Sequence, residues 1–376
     1  MTRIGFAYNQ KPDLVDAAAT ELPSVDEEPP SRRAAATLVA PARLAAPDDE
    51  YAEWDSAETI DAVARALSRH GQVIRLEATD DFPQRLRETR PDIVFNIAEG
   101  LRGPNREAHV PAICEFYGVP YSGSDPFTLA LCLDKARTKE ILRAHHVPTA
   151  DWWLVRTVTD VTRLLDQTLA FPLFAKPVHE GSSKGITERN FVASRDQLRP
   201  VVLELLERYA QPVIVERYLA GAEFTCGVIG NGAEARVLPI VGMNFGSLPD
   251  GALPIYGFEA KWVWDRADQP LQIFECPARI PDALRGEVER VVLRTYDALG
   301  CRDWSRVDVR LDADGRVNVV EVNPLPGILP DPADNSCLPK AARAAGLDYD
   351  ALIGACLQAA ATRGGVMLER NEREAA

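Results

Sequence analysis

Residues Ser305–Gly327 read SRVDVRLDADGRVNVVEVNPLPG, the most informative pattern in the chain. Before Asp314-Gly315, valine and leucine alternate with charged residues, and a period of two is typical of a β-strand. A second strand-like run, VNVVEVN, follows the same dipeptide. Asp-Gly is a strong signal for a two-residue hairpin turn. The stretch therefore predicts a β-hairpin.

The predicted hairpin places four polar side chains on one face. With Asp314-Gly315 at the centre of the turn, Asp308 lies opposite Glu321 and Arg306 lies opposite Asn323. Paired carboxylates repel each other unless a cation lies between them, and their hard oxygen atoms suit Mg²⁺. A solvated charged face is the alternative, because antiparallel strands often have one wet side. The rigid Asn-Pro-Leu-Pro-Gly run that ends the second strand favours a site.

Size and composition narrow the class of protein. A chain of 376 residues predicts two or three structural units, and none of its apolar runs approaches the length of a membrane span. The first residues lack the features of a signal peptide, and the seven cysteines show no CxxC spacing. The net charge of −14 argues against nonspecific binding to nucleic acid. We therefore expect a reduced cytoplasmic protein that binds neither nucleic acid nor membranes.

The N-terminal part alternates strand and helix. Arg3–Tyr8 and Pro91–Asn96 have strand character, and an amphipathic helix that stops at Gly71 lies between them. This order predicts a parallel sheet, whose ligands bind beyond the carboxyl ends of the strands. Residues 9–50 are rich in Ala, Pro, Asp and Glu without a sustained period, which indicates a long insertion, partly disordered or a mobile flap.

Two later segments carry further signals. Leu131–His146, LCLDKARTKEILRAHH, is predicted to form one helix. In KPVHEGSSKG, residues 176–185, two glycines and two serines allow backbone N–H groups to fold over phosphate oxygens. The order of a Walker loop is missing, and Gly/Ser turns between strands are common, so this second segment alone is a weak indication.

Taken together, these motifs resemble those of the ATP-grasp ligases, in particular the D-alanine–D-alanine ligase family. LDK, KP…EGSSKG, VERYLAGAEF, EAKW, RVDV and EVNPLPG occur in the family order between Asp92 and Tyr349. The resemblance implies an α/β ATP-grasp fold with an N-terminal parallel-sheet (pre-ATP-grasp) domain. The expected division is an N-terminal substrate domain at 1–130, which contains the flexible insertion, a central subdomain at 131–220, and a C-terminal subdomain with the metal site at 221–376.

The resemblance also implies a role for individual residues. Phosphate contacts fall to Lys135, Lys176, Ser183 and Lys261. The adenine lies against Glu216, Arg217, Tyr218 and Leu219, and Glu223 holds the ribose. Asp308, Glu321 and Asn323 are the metal ligands. Arg306 and the Gly327 backbone N–H act at the reacting centre, and Ser182 lies near the substrates. The implied cofactors are ATP and two Mg²⁺ ions, with Mn²⁺ as a substitute.

The implied reaction joins two small molecules, one through its carboxylate and the other through its amine. The carboxylate takes the γ-phosphate of ATP to form an acylphosphate, the amine attacks, and the products are an amide, ADP and phosphate. The Gly181–Gly185 loop and the loop of Lys261 are the expected lids. Homodimers are usual in the family, so a homodimer is compatible with the resemblance.

Departures from the family pattern concern the amino-acid sites. A Glu-bearing Gly-Gly turn is missing after the first strand, and the insertion stands there. Glu99 replaces a histidine, and Arg106 replaces the small last residue of a turn that is acidic in the family. Trp262 replaces a tyrosine, and Pro332–Asn335 is inserted before Ser336.

The substrate residues predicted from these departures are Glu99, Arg106, Trp262 and Ser336. We expect Arg106 to pair with Glu99 or to bind a substrate carboxylate, and Trp262 to supply an apolar wall. A larger or carboxylate-bearing amino acid then replaces D-alanine. Either the chain is such a ligase, or it is a genuine D-alanine–D-alanine ligase of peptidoglycan synthesis. A non-catalytic nucleotide-binding relative is a third hypothesis, which the complete lysine and metal-ligand sets disfavour.

Overall fold

The N-terminal sheet is parallel, as the sequence predicts. The computed structural model describes residues 1–12, 51, 53–181, 183–257, 259–265 and 271–368, with only the backbone of Trp262. The strand order of the N-terminal sheet is β2-β1-β3. The strands and the helices beside them are β1 (Arg3–Tyr8), α1 (Ala57–Ser68), β2 (Gln72–Glu77), α2 (Phe82–Thr89), β3 (Ile93–Asn96) and α3 (His109–Tyr117). The carboxyl ends of these strands therefore face one common edge.

The start of the predicted insertion is paired with the chain that follows it. Asn9 and Lys11 exchange backbone hydrogen bonds with Asp55, which lies just before the N-cap of α1, Ser56. Residues 13–50 lie outside the described part of the chain. The two ends of the insertion are thus brought together directly at the carboxyl end of β1.

The central sheet is antiparallel, in the order β4-β7-β5-β6, and helices cover one side of it. Its elements are β4 (Trp152–Val155), α6 (Val158–Leu165), β5 (Leu173–Pro177), β6 (Phe191–Val192), α7 (Arg195–Tyr209) and β7 (Val213–Arg217). Valines and leucines of the sheet and of both helices form one buried cluster. The other face of the sheet carries Lys176 and Glu216.

Two helices lead into this sheet where the sequence predicts one. Asp134 leaves the helical conformation, with φ −88° and ψ 96°, and separates α4 (Pro126–Leu133) from α5 (Lys135–Ala144). Its carboxylate accepts hydrogen bonds of 3.0 Å from the backbone N–H groups of Ala136 and Arg137. Asp134 is therefore an N-cap, and Lys135 stands in the first turn of a new helix.

The C-terminal sheet is built around β12 and runs in the order β11-β10-β8-β12-β13, with β9 also paired to β8. Its elements are β8 (Glu223–Ile229), β9 (Arg236–Val237), β10 (Val241–Met243), β11 (Phe274–Glu275), α8 (Asp282–Ala298), β12 (Trp304–Leu311) and β13 (Val317–Asn323). Apolar residues of α8 pack on one face of this sheet. The opposite face is left to the polar side chains of β12 and β13.

The hairpin of β12 and β13 has the predicted pairing but not the predicted turn. Leu311 pairs with Val317, and the N–H of Asp312 donates to the carbonyl of Arg316 at 3.0 Å. The turn is therefore residues 313–315, one residue longer than the predicted two-residue turn, and Gly315 adopts φ +79° within it. The longer loop alone would place Val320 opposite Asp308. A β-bulge next to Asp308 leaves Val320 without a partner, and Asp308 pairs with Glu321 after all. Two departures from the expected geometry therefore cancel.

The last helices return to the N-terminal sheet. They are α9 (Cys337–Ala344) and α10 (Tyr349–Gly364), and α10 packs against α1. Ile60 and Leu352 are both fully buried in one apolar cluster that extends from Ile4 to Ala361. The limits 1–130, 131–220 and 221–376 remain a prediction, but the C-terminal helix shares a core with the first sheet. None of the described helices is long and apolar enough to cross a membrane.

Candidate active site

A cavity of about 370 Å³ lies where the three sheets meet. The predicted site residues that line it are Glu99, Lys135, Lys176, Ser183, Glu216, Arg217, Tyr218, Leu219, Glu223, Lys261, Arg306, Asp308, Glu321, Asn323, Gly327 and Ser336. Arg106 is outside this lining. Ser182 and the side chain of Trp262 lie outside the described part of the chain.

The face of the hairpin gathers the predicted metal ligands. The guanidinium of Arg306 donates two hydrogen bonds to the carboxylate of Asp308, from Nη2 to Oδ2 at 2.9 Å and from Nε to Oδ1 at 3.1 Å. The side-chain amide of Asn323 donates a hydrogen bond of 3.3 Å to the same carboxylate. Burial lowers the pKa of Arg306, but the charge and hydrogen bonds of Asp308, together with the charge of Glu321, outweigh burial and raise that pKa above its ordinary value.

Glu321 is bound from the opposite side of the cavity. The ammonium of Lys135, at the start of α5, lies 2.8 Å from Oε1 of Glu321 and also donates to the carbonyl of Glu180. Burial alone raises the pKa of Glu321, but the charges of Lys135 and Lys176 lower it overall. The carboxylate is therefore ionised at neutral pH.

These donors fit Mg²⁺ that is shared with phosphate. Among the described residues, no group of three or more His, Cys, Asp or Glu side chains is arranged to hold a metal alone. Two carboxylates and one amide oxygen on one face, Asp308, Glu321 and Asn323, form an incomplete shell of hard oxygen atoms. Mg²⁺ usually takes one or two carboxylates and completes its octahedron with substrate phosphates and water.

A buried carboxylate holds two lysines together on the central sheet. Glu216 lies 2.7 Å from the ammonium of Lys176 and 2.9 Å from that of Lys139, one turn after Lys135 on α5. Burial raises the pKa of Glu216, but the two lysines lower it to about 2. Burial lowers the pKa of both lysines, and for Lys139 the net shift stays downward. For Lys176 the charges of Glu216 and Glu321 and the hydrogen bond to Glu216 together outweigh burial and raise the pKa.

The loop that connects β5 to β6 is tied to three parts of the molecule. The backbone carbonyl of His179 accepts from Arg106, and that of Glu180 accepts from Lys135. The hydroxyl of Ser183 donates 3.1 Å to the carbonyl of Tyr256, which precedes the segment of Lys261. The two predicted lids therefore touch each other over the cavity.

Lys261 stands on a short helical segment rather than on an irregular loop. Glu259–Trp264 forms π-helical turns, and the N–H of Lys261 donates to the carbonyl of Gly257. Burial and the nearby charge of Arg306 lower the pKa of Lys261 to about 8. An anion such as phosphate beside this ammonium would offset both effects.

At the end of the cavity next to the N-terminal sheet, the expected pair of Glu99 and Arg106 is not formed. Arg106 binds Glu53 instead, with Nη2 at 2.8 Å from both carboxylate oxygens. Glu53 precedes α1 and is almost fully buried, so it requires a cation, and Lys184 adds a second one at 3.5 Å. The guanidinium of Arg106 therefore already has a carboxylate partner within the protein, Glu53.

Three further carboxylates remain at this end, on Asp55, Glu99 and Glu107, and all of them line the cavity. Burial, then the charges of Glu107 and Glu53, raise the pKa of Glu99 well above its ordinary value. Burial and Glu53 raise the pKa of Glu107 to about 8. Burial raises the pKa of Asp55 to about 7, against the charge of Lys11. The end is acidic, in contrast to the lysine-rich end.

The inserted segment before α9 closes the side of the cavity. Its last residue, Asn335, donates 2.6 Å to the carboxylate of Asp265, at the end of the helical segment of Lys261. The hydroxyl of Ser336 donates to the carbonyl of Gly327 and accepts from the N–H of Leu329. Ser336 thus lines the cavity while its hydroxyl holds the loop in place.

Several residues of the site were missed by the sequence analysis. Lys139 follows Lys135 by four residues on a predicted helix, and Arg310 follows Asp308 by two on a predicted strand. These spacings place each residue on the same face as a predicted site residue, so the sequence did contain a signal for both. Glu53 and Asp55 lie directly behind the insertion. Nothing local in the sequence indicates that the chain returns there to the carboxyl end of β1.

The two antiparallel sheets, with lysines on one and paired carboxylates on the other around a shared cavity, define an ATP-grasp fold. A solved D-alanine–D-alanine ligase from Bacillus anthracis, complexed with ATP, agrees with this fold, with a TM-score of 0.66 at 22% identity and coverage of 97% of this chain and 99% of that chain.

The family follows from sequence comparison. A family model described as the D-ala D-ala ligase C-terminus matches residues 141–358. The D-alanine–D-alanine ligase of Actinobacillus pleuropneumoniae is 35% identical over 303 residues, 80% of this chain and 91% of that protein. An uncharacterised protein of Sinorhizobium fredii, y4sG, is 34% identical over 319 residues, 82% of this chain and 89% of that protein. The chain belongs to the D-alanine–D-alanine ligase family and is an ATP-dependent, ADP-forming ligase.

Proposed function

We propose that this ligase uses Mg²⁺ and ATP to join two amino acids or amino-acid-like substrates through an acylphosphate. The observation that supports it is one cavity with two unlike ends. Lysines and the hairpin carboxylates surround one end, and the acidic cluster of Asp55, Glu99 and Glu107 lines the other. Nucleotide phosphates fit the first end, and an amino group fits the second.

At the phosphate end, the chain supplies charge and position. Asp308, Glu321 and Asn323 would hold Mg²⁺, which neutralises phosphate charge when it is bound. Lys135 and Lys176 offer ammonium groups from two different elements, each already fixed by a carboxylate. Phosphoryl transfer depends mainly on such neutralisation and on alignment, so rigid cations are suited to it.

At the reacting centre, Arg306 is the residue that would stabilise the developing negative charge. Its guanidinium is always charged, and the ion pair with Asp308 fixes its orientation. A fixed, forked donor group suits phosphate and carboxylate oxygens. The backbone N–H of Gly327 would serve the same oxygen. The contact of Ser183 with Tyr256 joins the two lids, which keeps water from the acylphosphate.

At the substrate end, the structure alters the expectation for Arg106. Because Glu53 binds its guanidinium, Arg106 acts as a support for Glu53 and for the loop at His179 rather than as a ligand for a substrate carboxylate. Glu99, Glu107 and Asp55 suit the ammonium group of an amino acid. We keep the expectation that D-alanine with D-alanine is not the best pair. The acidic end favours a positively charged amino acid over the carboxylate-bearing one that the sequence analysis predicts.

ADP release across a panel of D- and L-amino acids, singly and in pairs, tests the proposal. We expect turnover with ADP and phosphate as the only nucleotide products, and a pair other than two D-alanines with the highest kcat/KM. AMP as product would refute the acylphosphate route. A tenfold or greater advantage for two D-alanines would establish the second candidate, a ligase of peptidoglycan synthesis. From the family we further expect a cytoplasmic homodimer whose partners are small molecules alone, not nucleic acid or membranes, and whose metal is two Mg²⁺ or Mn²⁺ ions.

A further inference from the structure

Arg310 lines the cavity outside the proposed machinery, and its guanidinium makes four hydrogen bonds. It follows Asp308 by two residues on β12, so it lies on the same face of the sheet, and it is almost fully buried. Its Nη1 lies 2.9 Å from Oε2 of Glu223, the residue directly opposite on β8. This places a fixed cation beside the carboxylate to which the family resemblance assigns the ribose.

The same guanidinium joins three segments of chain. Its Nε donates 3.2 Å to the carbonyl of Gly221, and Nη2 donates 2.9 Å to the hydroxyl of Tyr218 and 2.8 Å to the carbonyl of Pro254. The guanidinium carbon also lies 4.9 Å from the ring centre of Tyr218 and 5.3 Å from that of Phe245. Arg310 on the hairpin therefore joins the segment after β7, at Tyr218 and Gly221, to the segment before Lys261, at Pro254.

Arg310 opposes the effect of burial on Glu223. Burial raises the pKa of Glu223 above its ordinary value, and the charge of Arg310 is the main influence that lowers it, without cancelling the shift. Without it, a buried carboxyl next to Asp308 would tend to keep its proton and would lose acceptor strength. With it, Oε2 is occupied by the guanidinium, and Oε1 is the oxygen left for a hydroxyl donor.

We propose that Arg310 is a positioning residue that orients Glu223 and thereby makes nucleotide binding depend on the ribose hydroxyls. This inference rests on the proposed function and on the ribose contact that the family resemblance implies for Glu223. A hydrogen bond to a charged group contributes roughly 1.5–3 kcal/mol, so ATP should bind about 10- to 150-fold more tightly than the deoxy analogue that lacks the recognised hydroxyl. That preference is the property that Arg310 controls.

The test is the Mg²⁺-dependent binding of ATP, 2′-deoxy-ATP and 3′-deoxy-ATP to the full chain, measured by calorimetry without amino acids. We expect Glu223→Gln and Arg310→Met each to remove most of the preference for ATP, and the double variant to be no worse than either alone. Arg310→Lys keeps the charge but not the fork, so it should keep an intermediate preference. Arg316→Met, an exposed arginine at the turn of the same hairpin, is the matched control.

The outcomes separate this inference from the proposed function. If Glu223→Gln loses the preference while Arg310→Met keeps it, the role of Arg310 is refuted and the ribose contact stands. If Glu223→Gln keeps the preference, the ribose contact and the role of Arg310 are both wrong. Should Arg310→Met fail to fold, Arg310→Lys and Tyr218→Phe decide, and an unchanged preference in both overturns the inference.

Discussion

The carboxylates of the cavity differ in ionisation because their neighbours differ. Glu216 lies between two ammonium groups and keeps its charge down to a pH of about 2, whereas Glu107 is buried beside Glu53 and reaches a pKa of about 8. Arg106 and Lys135 oppose the shift of Glu107 only weakly, since each is already bound to another carboxylate. Charged and proton-bearing carboxylates thus coexist in one cavity at neutral pH.

The pair on the hairpin has the largest expected effect on activity. We expect Glu321→Gln and Asp308→Asn each to lower the ligation rate by at least about two orders of magnitude, because both weaken the hold on Mg²⁺ at the transferring phosphate. Steady-state rates over a Mg²⁺ titration measure this. Asp314→Asn, exposed in the turn, is the control. Near-normal turnover of either variant at saturating Mg²⁺ would remove the metal assignment.

The raised pKa of Glu107 has a consequence for stability. Since this pKa is higher in the folded chain than the ordinary value of 4.5, its contribution is complete below pH 4.5 and is lost as the pH rises toward 8. Glu107→Gln should therefore unfold at a higher temperature than the wild type at pH 8, with little difference at pH 4.5.

Thermal unfolding without ligands between pH 4.5 and 9 measures the effect of this substitution. A difference of ~1 kcal/mol corresponds to roughly 2–4 °C in Tm for a domain of 150–250 residues, which such scans resolve. Glu207→Gln, at an exposed position of α7, should follow the wild type throughout. Identical pH profiles for Glu107→Gln and the wild type would show that Glu107 ionises normally in the folded chain.

The hairpin could be predicted from the sequence because its two signals are local. They are the alternation of apolar and charged residues and the Asp-Gly dipeptide. The sequence was sufficient for the pairing of Asp308 with Glu321 only because the longer turn and the bulge at Val320 offset each other. The break at Asp134 was missed, since apolar periodicity continues from α4 into α5 and a capping aspartate resembles a surface one. The partner of Arg106 was unpredictable, because Glu53 reaches it through tertiary contact alone.

The loop at residues 179–185 should respond to nucleotide. Arg106 and Lys135 donate single hydrogen bonds to the carbonyls of His179 and Glu180, and the hydroxyl of Ser183 donates to the carbonyl of Tyr256. A Gly-rich loop has little apolar packing of its own. We expect its amide hydrogens to exchange rapidly in the free protein and at least tenfold more slowly with Mg²⁺-ATP. Mass spectrometry of peptides from this loop measures it, with β5 as an internal control. Equally slow exchange in both states would contradict the lid.

The cavity depends on the assembly of three sheets, and the antiparallel topology of the central one was not predicted. The parallel N-terminal sheet and the hairpin of β12 and β13 followed from local sequence patterns. The contacts between the sheets did not, because residues such as Glu53, Lys139 and Arg310 acquire their roles from neighbours more than 35 residues away in the chain. The resemblance to a family provided what local patterns lack, namely which ends of these elements face each other.

The packing of α10 on α1 also governs how the chain matures during its synthesis. The buried faces of α1 and α10 meet at Ile60 and Leu352, and Arg69 pairs with Asp350 at 2.9 Å along the same contact. Leu352 leaves the ribosome roughly 290 residues after Ile60, and at ~5–20 residues per second the delay is on the order of 15–60 s. Through that interval, the first sheet carries an uncovered apolar helix face. We therefore expect the nascent N-terminal segment to expose the apolar face of α1 until α10 has been synthesised.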